Sequence, residues 1–261
     1  MMIAHKGMER LKLALRKHHK FREVNGRNDI DMKHISIIGD SISTYEGANP
    51  PGYSVFYDPV MQKHNGLSSV NETWWAIVTR TMHGTICVNN SYSGSRVTGE
   101  KFPAASSIER ISSLGTETLS PDIILIYIGI NDYGNGVPIR HASSFFDRWK
   151  TDVSCFEDAY ACMIGKIKKR YPRLKIVCGT LMRSKIRNRE SWMFPERHAG
   201  VEFEAYNDVI RHTARKKKVC LADLGAENIR YETLDGTHPT VNGHATIADA
   251  WIGALAELGL M

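Results

Sequence analysis

The stretch "PDIILIYIG", residues 121–129, decides the fold class. It is apolar without a break from Ile123 to Ile128, rather than alternating between apolar and polar residues. A continuous run of this length is typical of a strand that is covered on both faces, as in a parallel sheet. We therefore predict a central, fully buried strand at this position.

Four further short apolar runs flank this stretch, and segments with helical spacing lie between them. The runs cover residues 35–38, 85–89, 174–178 and 219–221. Apolar residues at helical spacing predict helices over 153–167, 203–213 and 245–255, and the first of these should end near Tyr171, before a proline. The β-α-β-α succession predicts an α/β fold with a five-stranded parallel sheet, helices on both faces and right-handed crossovers.

The chain has 261 residues, of which 42% are hydrophobic and 24% charged, which fits one globular domain over 34–261. A basic helical extension is predicted at 1–33. Residues 1–34 contain nine Lys and Arg against four Asp and Glu, so this segment carries most of the net charge of +6. Phe21 is its only Phe, Trp or Tyr, too few for base stacking, and we predict no nucleic-acid partner.

The sequence shows no membrane or secretion signal. No apolar run approaches the ~20 residues needed to span a bilayer. The segment "MERLKLALRKHHKFREV", residues 8–24, is interrupted by charges and lacks the apolar core of a signal peptide. The five cysteines are odd in number and none are spaced as CxxC, which indicates reduced thiols. We predict a cytoplasmic protein without stable membrane insertion.

Chemically capable residues follow the predicted strands. The first strand, in "HISIIGDSIS" (residues 34–43), ends at Ser41, and the second leads into "NNSYSGSRV" with Gly94. The third leads into "GIND" with Asn131, and the last is followed by "DGTHPT" with His238. Ligands of open parallel sheets bind beyond the carboxyl ends of the strands. The sequence therefore predicts that these four residues meet at one edge of the sheet.

These residue types suit acyl transfer. Ser41 needs a base to become a nucleophile, and His238 could take its proton. Asp235, three residues earlier, could fix the imidazole tautomer through Nδ1. The backbone N–H groups of Ser41 and Gly94 and the side-chain amide of Asn131 could stabilise the developing oxyanion.

Each residue also has an interpretation that involves no chemistry. Ser41 could cap a helix, and Gly94 could simply form a turn. Asn131 could form an Asx-turn, and Asp235 and His238 could belong to an ordinary loop. The order of all these residues at successive strand ends favours the chemical interpretation.

The chain resembles the SGNH hydrolase superfamily, also called GDSL-type esterases and lipases. The blocks "GDSIS", "NNSYSGS", "GIND" and "DGTHP" match its four sequence blocks in order, and the resemblance spans residues 34–258. It implies a flavodoxin-like, three-layer α/β/α sandwich and no metal or organic cofactor. It also implies Ser41 as nucleophile, Asp235 and His238 as its partners, and Gly94 and Asn131 as oxyanion-hole residues.

Three features depart from related patterns. Ile42 replaces the usual leucine after the serine, and Ser91 stands where the second block normally has an extra glycine. The second change leaves the geometry of that turn open. The GxSxG elbow of α/β-hydrolases is absent, because Ser43 occupies the position of its last glycine.

Two long segments, 44–75 and 183–200, follow strands and could line a pocket. Their aromatic side chains offer flat apolar faces suited to a sugar ring: Tyr45, Tyr53, Tyr57, Trp192 and Phe194. We therefore predict a serine esterase that hydrolyses a small-molecule or carbohydrate ester through an acyl-enzyme. An O-acetyl group on a carbohydrate is the preferred substrate. By contrast, Trp74 and Trp75 are predicted to belong to the core, and His244 to pack or cap.

Other functions are compatible with the same residues. A lipase, a thioesterase or an acyltransferase could use the same site, because they share the acyl-enzyme step. A metallophosphoesterase would need several His and Asp ligands around two metals, and no His-rich pair follows a strand here. A non-catalytic binding module on the same fold is a more distant alternative.

Overall fold

The computed structural model describes residues 32–140, 153–189 and 195–261. The predicted extension at 1–33 lies outside this part except for its last two residues, and Lys33 already begins the first strand. The strands are β1 (Lys33–Gly39), β2 (Gly84–Asn89), β3 (Ile123–Tyr127), β4 (Lys175–Gly179), β5 (Arg183–Ile186), β6 (Arg197–His198), β7 (Val201–Glu202), β8 (Cys220–Ala222) and β9 (Arg230–Thr233).

Five strands form one parallel sheet in the order β2-β1-β3-β4-β8. They correspond to the five predicted apolar runs. Every residue of β3 is buried, which confirms the predicted central strand. Gly39 at the end of β1 lies opposite Tyr127 at the end of β3, so these two strands end at the same edge of the sheet.

The helices are α1 (Pro59–His64), α2 (Trp74–Thr81), α3 (Ile108–Ser112), α4 (Ile130–Gly134), α5 (Phe156–Arg170), α6 (Phe203–Lys217) and α7 (Val241–Glu257). Helices α2 and α7 pack together through Trp74 and Trp251, whose rings stack 5.5 Å apart. Helices α5 and α6 form a second pair, with the rings of Phe156 and Tyr206 4.6 Å apart. The sheet flanked by helices is the predicted three-layer α/β/α sandwich.

The two long segments of the sequence carry secondary structure that the apolar pattern did not predict. Residues 44–75 contain α1 and a 3-10 turn at Val70–Glu72. Residues 183–200 contain β5, which pairs in parallel with β9, and β6, which pairs with β7. These short strands form two two-stranded sheets separate from the five-stranded sheet.

Gly39 permits the close approach of two loops at the end of β1. A Cβ atom there would lie 2.6 Å from Ser43 Oγ and 2.8 Å from Ser91 Oγ, closer than real Cβ contacts allow. The Ser91 hydroxyl donates to Asn89 Oδ1 at 2.7 Å, and the Tyr92 N–H donates to the Gly39 carbonyl at 3.2 Å. The serine that departs from the family pattern is thus buried and hydrogen-bonded in a tight junction.

The described residues bear on two predictions from composition, the absence of a membrane-spanning helix and the presence of reduced cysteines. No helix in that part of the chain is long and apolar enough to cross a membrane. All five cysteines are free thiols: Cys87, Cys155, Cys162, Cys178 and Cys220.

His244 in α7 is fully buried, as predicted for a packing residue. Its Nδ1 accepts the N–H of Trp74 at 3.2 Å, so it caps the first turn of α2. Its Nε2 has no hydrogen-bond partner among the described residues. Burial lowers the pKa of His244 to about 3.

We predict that His244 makes the fold sensitive to acid. The unfolded chain takes up this proton near pH 6.5, whereas the folded protein does so only near pH 3, so stability falls as the pH drops between these values. Between pH 7 and pH 5 the loss from this residue is about 2 kcal/mol. His244→Asn keeps an acceptor for Trp74 but does not titrate.

Urea unfolding of wild type and His244→Asn at both pH values tests this prediction. The stability advantage of wild type over the variant should shrink by about 2 kcal/mol at pH 5. Buried carboxyls such as Asp40 titrate in both proteins and cancel in the difference. An advantage that is equal at the two pH values would contradict the prediction.

Candidate active site

Ser41 follows β1 on a short 3-10 turn, Ser41–Ser43. The cap of that turn is Asp40, whose carboxylate accepts the N–H of Ile42 at 3.1 Å. Ser41 therefore does not serve as the helix cap. Ser41 is 4% exposed, and its Oγ lies 2.9 Å from Nε2 of His238.

The loop between β9 and α7 brings Asp235 and His238 to Ser41. The prediction that these residues directly follow the last strand of the five-stranded sheet is wrong, because β8 ends at Ala222 and β9, which pairs with β5 outside that sheet, lies between them. One carboxylate oxygen of Asp235 accepts the backbone N–H groups of Thr237 and His238 at 2.9 and 2.8 Å. The other lies 2.6 Å from Nδ1 of His238. A carboxylate at this position accepts the Nδ1 proton and leaves Nε2 free to accept the serine proton. The structure thus joins all three residues in one hydrogen-bonded chain.

Hydrogen bonds from two buried side chains hold the loop that carries His238. The hydroxyl of the fully buried Tyr57 donates to the Pro239 carbonyl at 2.7 Å, and Ser184 Oγ donates to the Gly236 carbonyl at 2.6 Å. These contacts hold the positions on both sides of His238. The interpretation of Tyr57 as a substrate platform is therefore wrong, because the apolar ring is used for packing and its hydroxyl for support.

Two carboxyls of the site differ in their electrostatic surroundings. Burial alone would raise the pKa of Asp235, but the hydrogen bond and charge of His238, together with two backbone N–H donors, lower it to about 2. Asp235 is therefore a carboxylate at neutral pH. Burial raises the pKa of Asp40, the residue before Ser41, to about 7, and the N–H of Ile42 only partly offsets this effect.

The predicted oxyanion donors lie on the two neighbouring loops. Gly94 has φ of +76°, in the left-handed region that glycine adopts without strain, and a Cβ there would meet open space. Asn131 is the second residue of α4, after Ile130. Its side-chain amide donates one hydrogen to the Ser95 carbonyl at 2.9 Å. An amide nitrogen carries two hydrogens, so one remains for a ligand. This contact also links the Gly94 loop to α4.

Asp132 holds the same two loops together, a role that the sequence did not reveal. Its buried carboxylate accepts the N–H groups of Val97 and Thr98 at 2.7 and 3.0 Å, and the Thr98 hydroxyl at 2.8 Å. Burial raises the pKa of Asp132, and these donors act against the increase. The residue next to Asn131 thus fixes where the Gly94 loop lies.

Arg110 in α3 is a second support that the sequence did not reveal. Its guanidinium is fully buried and donates to the Gly39 carbonyl at 3.1 Å and to the Pro103 carbonyl at 2.6 Å. It also donates to Asn90 Oδ1 at 2.5 Å and to the Asn90 carbonyl at 2.6 Å. Burial lowers the pKa of Arg110 to about 10. A buried charge is costly unless it is paired and hydrogen-bonded, and here backbone carbonyls supply much of the compensation.

Phe56 is a third residue that sequence reasoning missed. Its ring stacks face to face on the imidazole of His238, with ring centroids 3.4 Å apart and planes inclined by 8°. Nothing in the segment "GYSVFYD", residues 52–58, distinguishes this aromatic residue from its neighbours.

The structure gives a mixed result for the predicted substrate residues. Tyr45 is half-buried against the core. Tyr53 packs edge to face with Tyr92 and Phe102, and the three rings lie 5.1–5.5 Å apart. This aromatic cluster adjoins the Gly94 loop, because Ser93 N–H donates to the Ser54 carbonyl at 2.8 Å. Trp192 and Phe194 lie outside the described residues.

No metal-binding cluster was predicted for this chain. In the described residues, no three His, Cys, Asp or Glu side chains are grouped so that they could hold a metal ion.

The parallel α/β/α fold and the serine, histidine and aspartate at its edge have the arrangement that serine hydrolases use. The chain belongs to the GDSL-like lipase/acylhydrolase family, whose sequence pattern matches residues 33–253. No curated protein matches the chain.

Solved structures agree with this family. A candidate GDSL-like lipase from Bacteroides uniformis is 30% identical, with 84% of this chain and 93% of the other covered and a TM-score of 0.62. One from Bacteroides ovatus is 27% identical, with 84% and 96% covered and a TM-score of 0.63. A mutant of a Geobacillus acetyl-xylooligosaccharide esterase shares the fold at 19% identity, with 85% and 94% covered and a TM-score of 0.55.

Proposed function

We propose that the protein is a serine esterase that removes an O-acetyl group from a carbohydrate or another small alcohol. The observation that carries the proposal is the continuous chain from Asp235 to His238 to Ser41, with separations of 2.6 and 2.9 Å. Membership of a lipase and acylhydrolase family supports the reaction class.

The mechanism follows from these contacts. Ser41 Oγ attacks the ester carbonyl carbon while its proton passes to Nε2 of His238. The carbonyl oxygen becomes negative and is stabilised by the N–H groups of Ser41 and Gly94 and the amide of Asn131. The intermediate then expels the alcohol, which takes the proton from Nε2, and the acyl group stays on Ser41.

Water completes the cycle. It attacks the acyl carbon and gives a proton to Nε2, and a second oxyanion forms at the same donors. The C–Oγ bond then breaks, Ser41 recovers its proton from His238, and the carboxylic acid leaves. An acyltransferase would replace this water with another alcohol, and the same residues would act in the same order.

A small cavity beside the nucleophile turn supports a short acyl group. Its volume is about 10 Å³, and its lining includes Asp40 and Ile42, on either side of Ser41. Ile130, next to Asn131, and Met182 also line it. Ser41 and His238 do not line this cavity, and its volume is near the minimum for one water-sized group, so it excludes all but the shortest acyl substituents. An acetyl methyl fits this description better than the chain of a fatty acid.

The aromatic cluster of Tyr53, Tyr92 and Phe102 supports a carbohydrate as the alcohol. Phe102 is 38% exposed, and Tyr53 and Tyr92 are half-buried, so ring edges and faces are available beside the Gly94 loop. The fold neighbour from Geobacillus is an acetyl-xylooligosaccharide esterase, which is compatible with this class. Trp192 and Phe194 remain predicted contacts.

A series of p-nitrophenyl esters tests the acyl preference. We expect kcat/KM to be highest for acetate and to fall at least about tenfold for butyrate, because a packed cavity rejects added methylenes. Met182→Ala widens the cavity away from the reacting groups and should raise the ratio of butyrate to acetate activity. Activity that rises with chain length in wild type would instead favour the lipase or thioesterase alternative.

A further inference from the structure

The stacking contact between Phe56 and His238 is not used in the proposed mechanism. Phe56 precedes α1, and its N–H donates to Thr44 Oγ1 at 2.9 Å. That hydroxyl donates in turn to the Ser41 carbonyl at 3.0 Å. The next residue, Tyr57, supports the loop of His238 through Pro239. The Phe56 backbone is therefore linked to the serine turn, and the neighbouring Tyr57 is linked to the histidine loop.

The stacking geometry depends on the charge of the imidazole. Two neutral aromatic rings prefer offset or edge-to-face contacts, because their negative faces repel in a direct sandwich. A cation over the face of a phenyl ring is instead attracted by it. At 3.4 Å and 8° the two rings form a nearly parallel sandwich. The contact is thus more favourable for the imidazolium than for the neutral imidazole.

We propose that Phe56 is a positioning residue that stabilises the protonated form of His238 and fixes its ring plane toward Ser41. The inference rests on the proposed function, in which His238 becomes an imidazolium each time it takes a proton from Ser41 or water. Asp235 stabilises that charge in the ring plane at Nδ1, and Phe56 stabilises it from the face.

Several other titratable groups lie near the His238 ring. Asp235 and Ser41 contact the two ring nitrogens of His238. Burial raises the pKa of the Tyr57 and Tyr231 phenols, and the charges of Asp235 and Asp40 act in the same direction. The Phe56 ring also packs edge to face on the Tyr57 ring, with centroids 4.9 Å apart. Phe56→Leu therefore alters this contact as well as the face contact with His238, whereas ring fluorination at position 56 keeps the packing on both.

NMR titration of the His238 ring in the full chain tests the proposal without any substrate. Phe56→Leu keeps an apolar side chain of similar size but removes the aromatic face. We expect the titration midpoint of His238 to fall by about half a pH unit or more, consistent with a modest cation–π contact. Phe56→Tyr keeps the ring and should retain the midpoint, as should Tyr171→Leu, a matched aromatic change after α5.

Kinetics give a second readout. In Phe56→Leu we expect kcat on p-nitrophenyl acetate to fall about threefold to tenfold with KM unchanged, and Phe56→Tyr to restore it. Fluorinated phenylalanines incorporated at position 56 separate electronics from packing, because fluorine weakens the negative face while the ring shape is nearly kept. The titration midpoint should then fall stepwise with the number of fluorine atoms.

The outcomes separate the two proposals. A midpoint that is unchanged in Phe56→Leu and across the fluorinated series overturns the role of Phe56, whatever the esterase activity. A stepwise fall of the midpoint in a protein without esterase activity supports the stacking and counts against the proposed function. If Phe56→Leu does not fold, the fluorinated series alone decides.

Discussion

Ser41→Ala is expected to lower kcat/KM on p-nitrophenyl acetate at least about 10⁴-fold, because removal of a serine nucleophile leaves only binding and oxyanion stabilisation. The Ser41 hydroxyl contacts Nε2 of His238, and alanine cannot attack the ester. The thermal unfolding midpoint should stay close to that of wild type, since Ser41 lies at a strand end rather than in the core.

Ser43→Ala is the matched control, because it removes a hydroxyl two residues away. Ser43 Oγ accepts the indole N–H of Trp74 at 3.1 Å and is buried. Its loss leaves that donor unpaired and should cost about 1–3 kcal/mol of stability. Turnover should persist. Activity of Ser41→Ala within tenfold of wild type would rule out Ser41 as the nucleophile.

We expect His238→Ala and Asp235→Asn to lower the activity by different amounts. We expect His238→Ala to lower kcat about 10⁵-fold or more, and Asp235→Asn about 10³- to 10⁴-fold, because the histidine moves the proton whereas the aspartate only orients it. The amide introduced by Asp235→Asn would offer an N–H donor to Nδ1 and favour the tautomer with its proton on Nε2. Steady-state kinetics of both variants on the same ester give the comparison.

The low pKa of Asp235 adds a pH criterion to this comparison. With the pKa lowered to about 2, the carboxylate is ionised at every pH at which the enzyme would be assayed. Loss of wild-type activity in mild acid must then arise from another group. A larger effect of Asp235→Asn than of His238→Ala would count against the assigned roles.

The sheet and the positions of the site residues were predictable because they depend on local signals. A continuous apolar run such as 123–128 indicates a buried strand from composition alone, and the ends of β1, β2 and β3 locate Ser41, Gly94 and Asn131. His238 instead follows β9, which the apolar pattern did not predict. Parallel strands bring such ends together without any further information. The distances among Ser41, Asp235 and His238 follow from the fold and agree with that expectation.

Features that depend on long-range contacts were not predictable. Strand β5 has the sequence "RSKI", with no alternation of apolar residues, and exists because it pairs with β9 more than 40 residues later. The burial of Arg110 depends on carbonyls of loops that precede it. Phe56 stacks on His238, which is distant in sequence, and no local pattern distinguishes it from Tyr53.

The contact between Ser41 and His238 joins positions 197 residues apart. Contacts of such high sequence separation close slowly in folding, whereas helices form within about a microsecond from local hydrogen bonds. Recovery of turnover after dilution from denaturant should therefore lag behind recovery of the helical signal. Turnover would then report completion of the whole chain topology, and no fragment that ends before residue 238 could produce it.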